Sequence, residues 1–180
     1  MTITYLICRT TLWMCAILLM LVSVAFAQDE PQSFNAFAVV QGKGSVARSG
    51  EMRGTMAATF EGAFFVDVGE GPVHAGRVLC PASAHIELDT TKQSASGACT
   101  FNALDGAVAW GEWECTGFNM VGCHGTFKLT GGTGRFAGAT GEASLIWRPT
   151  SAELKKQLEG AVLNDLSGIL IWRDFKVKAK

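Results

Sequence analysis

From residue 36 onward the chain alternates apolar and polar residues in short runs broken by glycine. Ala84, Ile86 and Leu88 fall on one side of an extended chain, and His85, Glu87 and Asp89 on the other. Phe127 and Leu129 oppose Thr126, Lys128 and Thr130, while Ile169, Ile171, Phe175 and Val177 share one face of the last run. A repeat of two over so many segments predicts half-buried β-strands. They fall near 36–42, 54–67, 73–79, 83–89, 95–103, 107–115, 124–130, 141–148 and 168–177. The 21 glycines sit between and inside these runs, where glycine marks bulges and corners and so gives a sheet the curvature needed to close. The fold expected is an all-β, antiparallel up-and-down barrel of about eight strands, with a sandwich as the alternative.

One segment breaks the period. Thr150-Ser151-Ala152-Glu153 is a capping-box sequence directly after Pro149, and Leu154, Leu158 and Val162 then repeat every four residues. This predicts one extra C-terminal amphipathic helix over 151–163. It would either pack plainly on the core or, in the sharper version, lie as a lid across one end of the barrel.

The start of the chain carries a different pattern. Arg9 is its only charge before the apolar stretch Leu12–Ala27, which ends Ala25-Phe26-Ala27 and gives way to Gln28-Asp29-Glu30-Pro31. A basic start, an apolar centre and a small-x-small exit predict a signal peptide at 1–27. The apolar stretch is shorter than the roughly twenty residues a membrane span takes, although an uncleaved N-terminal anchor is the alternative. Residues 28–35 then read as a loose polar leader and 36–180 as one barrel domain, exported to the periplasm or secreted, with no membrane span once the signal is removed. Without Arg9 the 15 basic residues become 14 against 16 acidic, a net charge of −2. No basic face is present of the kind nucleic-acid binding requires.

Export changes the reading of the cysteines. Cys8 and Cys15 leave with the signal, and Cys80, Cys99, Cys115 and Cys123 remain. An even set in an oxidising compartment predicts two disulfides, and no Cys-x-x-Cys pair suggests zinc or another metal. Asp105-Gly106 reads as a two-residue hairpin turn. That turn sets Phe101 opposite Trp110 and Cys99 opposite Glu112, and puts Cys99 and Cys115 on opposite faces unless Gly111 carries a bulge. The expected pairing is therefore sequential. Cys80–Cys99 would clamp a hairpin turning near Asp89–Lys92, and Cys115–Cys123 one turning at Phe118-Asn119-Met120.

The most distinctive run is Thr130-Gly131-Gly132-Thr133-Gly134-Arg135-Phe136-Ala137-Gly138-Ala139-Thr140-Gly141. Its glycine spacing is one residue too long for the dinucleotide fingerprint, and it lacks a phosphate-loop lysine. It resembles the Gly-Gly-Thr-Gly-x-Phe-x-x-Ala-x-Gly turn of dirigent proteins and the related allene oxide cyclase barrel. It is also similar to a group of small exported bacterial proteins with the same turn and no assigned activity. The resemblance rests on Gly131, Gly132, Thr133, Gly134, Phe136 and Gly141. It implies a barrel whose lumen holds an apolar substrate and steers a coupling or a cyclisation, with no catalytic residue carried over to a numbered position here.

Candidate chemistry is sparse. His85 and Glu87, two apart on one strand face, could hold a metal or act as base and orienter, but alternating polar residues are what an exposed sheet face shows. His74 and His124 stand alone, and Gly42-Lys43-Gly44-Ser45 and Ser94-Ala95-Ser96-Gly97 read as turns, not serine elbows. Trp110, Trp113, Trp147 and Trp172 would either line an apolar pocket or fill the barrel. Three functions follow, none with a cofactor. The first is non-catalytic binding of a small apolar ligand or an envelope role. The second is a cyclase or coupling guide. The third is a solid-core structural or protein-interaction module.

Overall fold

The computed structural model describes residues 32–119, 121–150 and 162–178. The expected signal peptide, the first part of the leader and residues 151–161 of the expected helix lie outside them. Eight antiparallel strands form a closed barrel in sequential order. They are β1 (Gln32–Gly50), β2 (Arg53–Asp67), β3 (Pro72–Glu87), β4 (Lys92–Ala103), β5 (Val108–Phe118), β6 (Gly122–Gly132), β7 (Thr140–Pro149) and β8 (Val162–Lys178). β8 returns to pair with β1 along almost its whole length, which removes both sheet edges.

Several expectations change. The runs 73–79 and 83–89 are one strand, because Cys80-Pro81-Ala82 continues the pleat across the β2 ladder. Residues 32–35 of the supposed leader are also sheet, with Phe34 opposite Phe175. No α-helix occurs among the described residues. At the end of the expected helix, Val162 and Leu163 belong to β8, paired with Ser45 and Gly44 of the long first strand. Thr150, the expected cap, instead gives its N–H to the Ser167 carbonyl at 2.9 Å. Gly42–Ser45 and Ser94–Gly97 lie within β1 and β4, not in turns.

The β4–β5 turn has three residues, not two. Gly106 N–H reaches the Ala103 carbonyl at 3.0 Å and Ala103 N–H reaches that of Ala107 at 2.9 Å. Gly106 takes the left-handed φ of +83°, the geometry of a three-residue hairpin with a glycine bulge. One extra loop residue shifts the pairing by one. Cys99 therefore faces Gly111, Phe101 faces Ala109, and Trp110 faces Thr100. Cys99 and Cys115 share the inner face after all. They remain unbonded because Cys115 sits opposite Ala95, four residues along the strand from Cys99.

A bulge near the end of β8 has the same kind of consequence. Asp174 adopts a φ of +51° and its N–H is held by Asn35 Oδ1 at 3.1 Å. The alternation resets there, so Leu170 and Trp172 point inward before it and Phe175 after it. Ile169 and Ile171, expected on the face of Phe175, point outward.

Both disulfides form sequentially, Cys80–Cys99 and Cys115–Cys123. By register Cys80 lies directly opposite Cys99, with Cα atoms 4.2 Å apart. Cys123 faces Gly117, so its bond to Cys115 runs diagonally with Cα atoms 5.6 Å apart.

Outside, residues of opposite charge alternate across four neighbouring strands. Glu112, Lys128, Glu142 and Lys176 oppose one another in one row across β5 to β8. Opposite charges directly across a ladder contribute roughly 0.2–1 kcal/mol per pair, and like charges cost it. Lys128→Glu would put three carboxylates side by side. The expected result is a lower urea midpoint at low ionic strength that recovers in part at 1 M salt, where screening is short-ranged. An unchanged midpoint at low salt would show that the row plays no part in stability.

Candidate functional site

A barrel of eight strands is only just wide enough to be filled or to hold one small ligand, so the lumen is the first place to look. Its inward positions carry Phe60, Phe64, Phe101, Phe127, Trp172 and Phe175. Trp172 is fully buried and meets Phe64, Phe101 and Phe127 edge-on at centroid distances of 5.7, 5.2 and 6.1 Å. Phe127 in turn meets Phe175 at 5.6 Å. Offset and edge-on contacts of this kind are the favoured aromatic arrangement. Several inward glycines make the room. A Cβ on Gly97 would stand 2.9 Å from the Trp113 ring, and one on Gly168 would stand 2.2 Å from that of Trp147. Pairing small with large residues lets the rings meet across the barrel.

What remains empty is small. One void of about 100 Å³ lies between Phe34, Phe64, Phe101 and Phe136, and another of about 40 Å³ lies beside Phe60, Cys80 and Trp147. Among the described residues no polar or charged residue is buried. The buried groups with unmet hydrogen-bonding capacity are the indole N–H donors of Trp113 and Trp172.

The four tryptophans therefore separate. Trp113 and Trp172 are buried and Trp147 is half-buried against Phe60 at 4.9 Å. Trp110 is 41% exposed on the outer face, because the three-residue β4–β5 turn reversed its side. The glycine-rich turn folds over the neighbouring β4–β5 hairpin. Thr133 receives Val108 N–H on its Oγ1 at 3.1 Å and returns its own N–H to the Val108 carbonyl at 2.7 Å. Gly134–Phe136 make one 3-10 turn, Phe136 packs on the core, and Arg135 pairs with Asp105 at 2.9 Å. Gly131 and Gly132 end β6 and Gly141 lies in β7.

The outer face has two unlike halves. On β7, β8, β1 and β2 it is apolar: Ile146, Ile171, Phe37 and Phe65 form one row, and Ile169, Val39 and Ala63 the next. Phe37 and Phe65 stack at 5.1 Å with rings 13° apart, and Phe65 packs on His74 at 5.5 Å. On β2 to β6, toward the end that carries the β3–β4 turn, the face is polar. Thr55, His85, Ser94, Thr116 and His124 run straight across it. The row Ser83, Ser96, Glu114, Thr126 and Ser144 lies beside it. Three strand spacings put the two histidines about 14 Å apart, too far to share a metal ion, and no metal-ligating cluster occurs among the described residues.

At the barrel end that carries the β1–β2, β3–β4 and β5–β6 turns, this polar face opens into a cleft of about 870 Å³. Arg53, Lys92 and Arg148 line it, with Glu87 as its carboxylate. Arg148 is anchored: Nη1 donates to the Val121 carbonyl at 3.0 Å, and Nη2 lies 3.1 Å from His124 Nε2. A guanidinium only donates, so Nε2 accepts and the ring proton sits on Nδ1. Thr90 donates its hydroxyl to Glu87 at 2.6 Å. Sequence reasoning paired His85 with Glu87 but left His124 as a lone histidine, and it missed Arg53, Lys92, Arg148 and Phe118. The available signal was that three alternate hairpins, and the exit from β7, come together at one end of an up-and-down barrel. Comparisons with protein-family models, with curated proteins and with solved structures find no match.

Proposed function

We propose that this chain is an exported, solid-core barrel that acts through its outer surface, as a binding or interaction module of the cell envelope. The observation that carries the reading is the aromatic filling of the lumen. Its larger void, about 100 Å³, is well below the roughly 300 Å³ at which small-molecule sites begin. Binding of an apolar ligand in the lumen, and the coupling or cyclisation implied by the glycine-rich turn, would both need that space. The second would also need a titratable acid or base buried in the lumen, and among the described residues no charged side chain is buried there. The two buried disulfides are compatible with an oxidising, exported environment. The apolar rows around Phe37 and Phe65 support contact with another protein, since exposed apolar patches mark such surfaces.

Native mass spectrometry of the exported protein, purified without detergent, tests this. The expected mass is that of the polypeptide less the four hydrogens lost to two disulfides, with no small-molecule adduct. A reproducible apolar adduct that leaves on denaturation would return the function to the lumen and overturn the proposal.

A further inference from the structure

We propose that the basic cleft at the β3–β4 turn end binds an acidic oligosaccharide, a uronate-bearing glycan, with its carboxylates on Arg53, Lys92 and Arg148. This rests on the reading that the barrel works from its outside, and it names a ligand for that surface. Charge is the first argument. The whole chain carries a net charge of −1, yet the cleft gathers three basic side chains against the single carboxylate of Glu87. Clefts lined by one sign of charge concentrate ligands of the other. Arg148 is held by Val121 and His124, and a guanidinium's five donors leave capacity beyond those two contacts for a carboxylate.

Size and lining point to a saccharide over a lone anion. A single carboxylate or phosphate would occupy little of about 870 Å³. The cleft also continues along the polar face into a second concavity of about 420 Å³, and the two share His85, Ser94, Thr116 and His124. Hydroxyl and imidazole groups donate and accept, which suits a ligand that is itself mostly hydroxyl. Their spacing follows the sheet, about 4.8 Å between strands, so they offer contacts along an extended chain. At the rim Phe118 is 48% exposed, an aromatic face against which the C–H side of a pyranose ring can stack.

The test is calorimetric titration of the exported, disulfide-bonded protein with a galacturonic acid tetramer. A neutral tetramer of the same ring size, inorganic phosphate and a short poly-glutamate serve as comparison probes. Saturable binding of the acidic tetramer is expected, at least about tenfold tighter than the neutral one and weaker at high salt. The Arg53→Gln/Lys92→Gln variant should lose roughly tenfold or more in affinity with its thermal midpoint little changed. Phe118→Ser should weaken the saccharide without altering any response to phosphate. No binding of the acidic tetramer, equal binding of the neutral one, or variants that bind as well as the parent would each overturn the proposal. Phosphate or poly-glutamate binding as tightly would reduce the cleft to a general anion or acidic-peptide site and overturn the saccharide assignment. None of these outcomes bears on the lumen, which mass spectrometry reads separately.

Discussion

Trp172→Ala is expected to be among the most damaging single substitutions in the barrel, lowering stability by about 3–5 kcal/mol. The side chain is fully buried and touches three phenylalanine rings belonging to β2, β4 and β6. Its loss removes contacts on every side, and the closed ladder of β1 to β8 holds the walls apart so the cavity cannot collapse. Total stabilities of domains lie near 5–15 kcal/mol, so the variant would keep only part of its margin. A fall in thermal midpoint of about 10 °C or more follows for a chain of this size. Trp172→Phe separates shape from polarity. It also leaves a gap, but it removes an indole N–H that has no acceptor in the core, a group whose burial costs about 1–3 kcal/mol. The phenylalanine variant should therefore lose much less than the alanine variant. Adding indole should raise the urea midpoint of Trp172→Ala and not that of the parent, because an apolar cavity takes up a matching ligand. A loss below about 1 kcal/mol in Trp172→Ala would mean that the lumen is not packed as described, and the solid-core proposal would fall with it.

The filling that makes this prediction possible was only half legible in the sequence. The period-two runs located all eight strands, and the Asp89–Lys92 and Phe118–Met120 turns paired the cysteines correctly. Which residues faced inward was another matter, because facing depends on single-residue counts. One extra residue in the turn at Leu104-Asp105-Gly106 sent Trp110 outside. One bulge at Asp174 separated Ile169 and Ile171 from Phe175 and created the apolar outer rows. Inward glycines such as Gly97 and Gly168 read as bends in one dimension, yet in the barrel they are the hollows that receive Trp113 and Trp147. The cleft was harder still. Arg53, Lys92 and Arg148 are 39 to 95 residues apart in sequence, and only closure of the barrel through its register brings them to one end.

Loss of the Cys80–Cys99 bond should rival loss of Trp172, and its position allows the two disulfides to be ranked. A cross-link stabilises mainly by shortening the unfolded chain's freedom, more so for longer loops. The separations are 19 and 8 residues, for which the chain-entropy relation gives about 3.2 and about 2.5 kcal/mol. Cys80→Ala/Cys99→Ala should therefore unfold at lower urea than Cys115→Ala/Cys123→Ala. Trimming either pair also leaves a void in the lumen, since all four cysteines are at most 3% exposed, so burial lowers both midpoints and leaves their order to loop length. Burial makes a kinetic prediction as well. All four sulfurs face inward between packed rings, so a reducing agent can reach them only when the barrel opens. Reduction of the native protein by dithiothreitol should be far slower than that of the urea-unfolded chain, because it proceeds only through the small opened population, and it should accelerate in urea. Trp172→Ala should quicken it, since a looser core opens more often. Mass spectrometry of alkylated samples over time reads both bonds at once. A native-state rate close to that of the unfolded chain would place the sulfurs within reach of solvent, and the closed, filled barrel would not then protect them.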